Sequence, residues 1–144
     1  MRSKVMRMSP STIKTNSTTL IDFYILEKEL KFLNAWKKGV KLIGHVFFKL
    51  PAEVNYYYNT ESFINSVTSR EQLHPNWRAI GIGLKAMQAH HQIFISMMYS
   101  FYNHKDGQRL LKAIGFPNFI DALRRLETEE KEIIEELARN DYGW

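Results

Sequence analysis

At 144 residues the chain is long enough for one domain with its own core, and it holds no cysteine. That excludes disulfide scaffolds, thiolate nucleophiles and cysteine-ligated zinc or iron–sulfur centres together. The net charge of +5 is unevenly placed: residues 1–60 carry 10 Lys/Arg against 4 Asp/Glu, residues 61–115 carry 6 against 3, and residues 116–144 carry 4 against 8. A basic front and an acidic rear can steer a charged partner, or can be satisfied within the fold or by a neighbouring copy.

Residues 1–19 hold four basic residues (Arg2, Lys4, Arg7 and Lys14), many hydroxyls and no acid. Low hydrophobicity and Pro10 read as a flexible basic arm, and the composition also fits an organelle-targeting segment. Helix one is expected to begin after Thr18 or Thr19, with Asp22 completing a weakened capping box. Phe23, Leu26, Leu30 and Leu33 form its inward stripe, with Ile25, Phe32 and Trp36 on an adjacent face. Val40 to Leu50 can continue this helix until Pro51 closes it. A strand at Val40–Leu50 is the main alternative, since Val46, Phe47 and Phe48 favour extended backbone.

Tyr56, Tyr57 and Tyr58 read as a loop, and Thr60 as the cap of a short helix holding Phe63, Ile64 and Val67. Pro75 then starts the element expected to organise the domain, a central helix over 76–103. Its apolar stripe is Trp77, Ile80, Leu84, Met87, His91, Phe94, Met98 and Phe101, in alternating steps of three and four. Asp106 and Gly107 supply turn chemistry at its end. A short helix follows over Gln108 to Ile114. A final helix runs from Phe116–Pro117–Asn118 to about Asn140, with Leu123, Leu126, Leu137 and one each of Phe119/Ile120 and Ile133/Ile134 inward. On its outer face Glu127 pairs with Lys131, and Glu135 with Arg139.

The fold expected is therefore all-α: an irregular bundle of three long and two or three short helices around the central helix, with the flexible arm 1–19 preceding a single helical domain 20–144. No window has about 18 uninterrupted apolar residues, so no membrane-spanning helix is expected. An intracellular location fits this chain best, with targeting by the N-terminal segment as a variant of that reading.

No arrangement of residues points to catalysis. Ser96 and Ser100 sit on a helical pattern with no nucleophile elbow, and read as small residues that permit close packing. Gly81–Ile82–Gly83 resembles half of a phosphate loop but has no strand before it. The spacing Glu-x-x-His occurs once, at Glu71 and His74, beside a proline break that suits a bundle-core metal poorly. His91 reads as a packed histidine and His90 as an exposed one, and a metal-dependent enzyme through His91 and His104 is the weakest reading. The acids Glu127, Glu129, Glu130, Glu132, Glu135 and Glu136 read as a solvated face. No enzyme activity, cofactor or metal is expected.

Two features point to binding. Nineteen aromatic rings (9 Phe, 7 Tyr, 3 Trp) are many for the interior of a bundle this small, so some should lie at an interface. The interface residues read this way are Trp36, Tyr56, Tyr57, Tyr58, Tyr102, Tyr142 and Trp144. The sequence thus reads as a non-catalytic helical subunit or adaptor, docking into a larger protein assembly through aromatic surface and the basic arm. Other protein subunits are the expected partners, and a homo-oligomer fits the same features. The alternative is a nucleic-acid-binding or packaging protein. It would use Arg2, Lys4 and Arg7 of the arm with a helix face of Lys37, Lys38, Lys41, His45 and Lys49.

Overall fold

The computed structural model describes residues 10–54 and 59–144, with side chains from Leu20 onward. Its α-helices are α1 (Pro10–Ile43), α2 (Thr60–Ser66), α3 (Trp77–Gly83), α4 (Ala89–Tyr102), α5 (His104–Ala113), α6 (Phe119–Arg124) and α7 (Thr128–Arg139). Short 3-10 turns lie at His45–Phe47, Arg70–Leu73 and Leu84–Ala86. The fold is all-α. The described residues contain no strand, only an isolated antiparallel bridge between Phe48 and Pro75.

α4 lies at the centre. Every residue from Ile93 to Tyr99 is buried, so this helix is covered on all sides, as expected of a helix that is apolar all round. α1, α5 and α7 pack against it. Phe32, Trp36, Phe94, Met97, Met98, Leu111, Ile134 and Leu137 are among the fully enclosed side chains, each contributing about 1.5–3 kcal/mol of burial free energy. Ile133 and Ile134 of α7 both point inward, as does Leu126 ahead of it, whereas Ile120 is exposed.

The central helix 76–103 is not continuous, which corrects the sequence expectation. α3 ends at Gly83, a 3-10 turn follows, and Met87 and Gln88 are extended (ψ 152° and 155°) before α4 begins. The apolar stripe persists through the break because Ile80, Leu84, Met87, Phe94, Met98 and Phe101 still face the core, although Trp77 is exposed, but two tertiary contacts redirect the backbone. Asn76 N–H donates to the Phe47 carbonyl and Lys49 N–H to the His74 carbonyl, both at 2.8 Å, tying the start of α3 to the segment after α1. Gly83 lies where an added Cβ would stand 2.7 Å from the Phe47 ring. The Gln92 side-chain amide then donates to the Leu84 carbonyl at 2.8 Å, joining the two halves across the break.

Other boundaries move for local reasons. α1 is described from Pro10, so its start lies upstream of Thr18; residues 1–9 of the expected arm lie outside the described residues. α1 ends at Ile43 because Gly44 takes φ +116°, a conformation that glycine adopts without strain. Val40–Leu50 is therefore neither a helical extension nor a strand. Asn59, not Thr60, caps α2, accepting from Ser62 N–H at 3.1 Å. The expected final helix is two, α6 and α7, separated at Arg125–Glu127. There Glu127 and Glu130 form a capping box, with Glu127 N–H donating to Glu130 Oε1 at 3.0 Å. This reciprocal satisfaction of backbone donors makes the second start competitive with a continuous helix. Arg139 pairs with Glu136 at 2.8 Å rather than with Glu135.

Asp106 and Gly107 do not terminate the central helix either. Asn103 turns the corner alone, ending α4 and capping α5 through its side chain to Asp106 N–H at 3.0 Å. Gly107 instead sits inside α5 against α4, where an added Cβ would lie 2.3 Å from Ser100 Cα. Ser100 is thus the small residue of a close helix–helix approach.

The C-terminus closes the opposite side. Trp144 packs edge-on against Trp36 and Tyr102, with ring centroids 4.9 and 5.0 Å away, and against Phe32 at 6.2 Å. Arg70 is buried, its guanidinium 3.7 Å from the centroid of the Phe32 ring, and it donates to the Gly143 carbonyl at 3.0 Å. Burial lowers the Arg70 pKa from its usual value, an effect opposed by Asp141, Glu29 and Glu71.

Two glycine substitutions are expected to act with opposite signs. Gly107→Ala should lower stability by about 2 kcal/mol or more, since backbone must shift. Gly81→Ala, with open space around it, should raise stability by about 0.5–1 kcal/mol. Trp144→Ala should cost about 3 kcal/mol, the low end for losing a large aromatic, because the ring is only partly buried. Urea denaturation midpoints at constant slope test all three.

Candidate docking surface

The core-facing residues of α1 are Phe32, Leu33, Ala35, Trp36, Gly39 and Val40, all in its C-terminal half. The preceding turns carry as many apolar residues with nothing among the described residues to bury them. Leu20, Ile21, Phe23 and Tyr24 are 59–70% exposed, and Leu26 and Leu30 are 50% and 49% exposed. The sequence placed Phe23, Leu26 and Leu30 inward, continuing the stripe to Leu33. Leu33 alone is buried, because this end of α1 runs beyond the helices that would cover it.

Phe23, Leu26 and Leu30 keep the three–four spacing that sets them on one helical face. Advancing 100° per residue, Asp22 and Glu29 border this stripe on one side and Glu27 on the other. The surface is therefore an apolar seam bordered by Asp22 and Glu29 on one edge and by Glu27, paired with Lys31 at 3.8 Å, on the other. It continues into a groove of about 180 Å³ bounded by Leu26, Leu30, Leu33, Arg70 and Trp144. On another side of α1, the Lys28 ammonium lies 5.6 Å from the Tyr24 ring and 5.7 Å from the Tyr142 ring, bringing the C-terminal tail beside the exposed turns.

Among the aromatic residues expected at an interface, Tyr142 is 39% exposed and lies beside Lys28, on the other side of α1 from the seam. Tyr102 and Trp144 are partly buried against the core. Trp36 is fully enclosed and donates its indole N–H to the Leu73 carbonyl at 2.9 Å, so it presents no surface in this chain. Tyr56, Tyr57 and Tyr58 lie outside the described residues.

The basic residues do not form the single helix face that their spacing suggests. Because α1 stops at Ile43, His45 sits in the following 3-10 turn and Lys49 in extended chain. Lys37 Nζ donates to the Asn65 carbonyl at 3.0 Å, and Lys41 Nζ to the Asn65 side-chain oxygen. These two ammonium groups thus hold α1 to the end of α2, and desolvation together with the Lys41 charge lowers the Lys37 pKa. Lys38 and Lys49 are exposed. Arg2, Lys4 and Arg7 lie outside the described residues.

His91 lies in the first turn of α4 and His104 opens α5 beyond its other end, with about 16 Å of helix between His91 and Tyr102, so the two do not share a site. Glu71 and His74 approach to 3.5 Å, with Glu71 exposed and His74 partly buried against Tyr102 and Trp144. The acids of α7 are not uniformly solvated, since Glu130 is 2% exposed.

The signal for the exposed seam was present in the sequence. Between Leu20 and Leu26, six of seven residues are apolar and they point in every direction around a helix, more than one core face can absorb. No protein-family model, curated protein or solved structure matches this chain.

Proposed function

We propose that this chain is a non-catalytic helical subunit or adaptor that docks onto another protein through the N-terminal half of α1. The observation that carries the reading is the exposed seam Phe23–Leu26–Leu30 with carboxylates on both edges. Covering three side chains that are half to two-thirds exposed would gain about 1–2 kcal/mol each. Soluble monomers rarely leave contiguous apolar surface of this kind uncovered.

The charge pattern selects the occupant. In a helix pair, residues bordering the seam face their counterparts on the partner. A second copy using the same seam would set Asp22, Glu27 and Glu29 against the same acids, in parallel or antiparallel register. A helix with an apolar stripe flanked by Lys or Arg meets the seam with complementary charge, and the reading commits to that partner. The nucleic-acid alternative finds less support: its basic face is interrupted at Gly44, and two of its lysines are occupied by Asn65.

The test uses the full chain and two fluorescent peptides of three heptads, both with Leu at the core positions. One carries Lys and the other Glu at the flanking positions. The Lys peptide should bind at least about tenfold tighter, with the difference shrinking as salt screens the edges. Leu26→Asp/Leu30→Asp should abolish binding with the helical circular dichroism unchanged. Equal binding by that double variant, or a dimer in light scattering that the double variant dissociates, would overturn the assignment.

A further inference from the structure

The N-terminal turn of α4 meets the first turn of α7 around a buried carboxylate. Glu130 is 2% exposed, and both of its oxygens lie 3.0 Å from His90 Nδ1. His91 Nε2 lies 3.8 Å from Glu130 Oε2. One donor atom from each of these three side chains falls within 4.8 Å of the others.

The other nitrogen of His90 is also partnered: Nε2 is 2.9 Å from Gln88 Oε1 and 3.6 Å from Glu127 Oε2. Carboxylate oxygens accept only, so Nδ1 must present either a proton or a metal ion to Glu130. A proton would satisfy His90 and Glu130 alone. It leaves unexplained why His91 turns a third donor toward the same carboxylate oxygen, with the two imidazole centroids only 4.2 Å apart.

We propose that His90 Nδ1, His91 Nε2 and Glu130 form a binding site for a divalent transition-metal ion of the zinc type. Two imidazoles and one carboxylate are a donor set suited to zinc and its neighbours, with a fourth position for water. The site also has the outer contacts such sites use. With a metal on Nδ1, the Nε2–H would be held by Gln88 and Glu127. Glu130 Oε1 accepts from the Glu127 backbone N–H at 3.0 Å, which orients the carboxylate. Two helix N-termini meet here and disfavour a cation, and the carboxylates of Glu127 and Glu130 offset that field. His91 is partly exposed, so its ring can rotate to close the donor spacing and its side leaves an entry path. The site is independent of the seam on α1.

The experiment is calorimetric titration of the full, chelator-treated chain with Zn²⁺, and with Co²⁺ read by its visible d–d bands. One equivalent should bind, with a tetrahedral cobalt spectrum. His91→Ala should weaken binding by at least about tenfold; because this side chain is partly exposed, the variant should keep its fold, checked by circular dichroism. Glu130→Gln should abolish binding, and His45→Ala, remote from the cluster, should leave it unchanged. No stoichiometric binding, or equal binding by His91→Ala, would overturn the site and leave His90 Nδ1–H as a hydrogen-bond donor to Glu130.

Discussion

The enclosure of α4 is the constraint on which the rest of the structure depends. Seven consecutive residues, Ile93–Tyr99, are buried, so the helix must be surrounded, and no single neighbour can do this. α5 folds back along it through the one-residue corner at Asn103, α7 covers another side, and the C-terminal half of α1 completes the wall. The contact with α5 is close because Gly107 lies against the backbone of Ser100. Once α4 is surrounded, its first turn is held against the first turn of α7, and His90, His91 and Glu130 are thereby brought together.

The same constraint explains the exposed seam. α1 has 34 residues, far longer than the 14 of α4. A helix that must cover one short partner has surplus length, and the surplus lies at its N-terminal end. There the apolar residues meet no core among the described residues, and carboxylates border them. The seam and the histidine–carboxylate cluster are therefore both consequences of how the bundle encloses one short helix.

The legibility of these features in the sequence follows the range of the forces behind them. Apolar periodicity identified the helices and most inward positions, because a side chain's face depends only on spacing along its own helix. Boundaries were less readable. The break at Met87–Gln88 depends on Phe47 and His74, which are distant in sequence, and the division of α6 from α7 rests on a Glu127–Glu130 capping box that resembles any other acidic pair. The basic row Lys37–Lys41–His45–Lys49 was plausible by spacing and dissolved because Gly44 turns the chain. Phe23, Leu26 and Leu30 were recognised as one stripe, but whether a stripe faces core or solvent depends on what lies opposite it.

The sequence by itself determined the all-α class, the placement of the organising element between Pro75 and Asn103, the absence of a stretch apolar enough to form a spanning helix, and the dipolar charge. These follow from local propensity and composition, which need no knowledge of neighbours. Only the tertiary structure decided that the organising element is two helices, that Trp36 is core while Leu26 is surface, and that Glu130 is the buried member of an acidic run and faces two histidines forty and thirty-nine residues away. Burial and pairing are properties of elements brought together, and the free energy that sets them comes from surfaces no single segment contains.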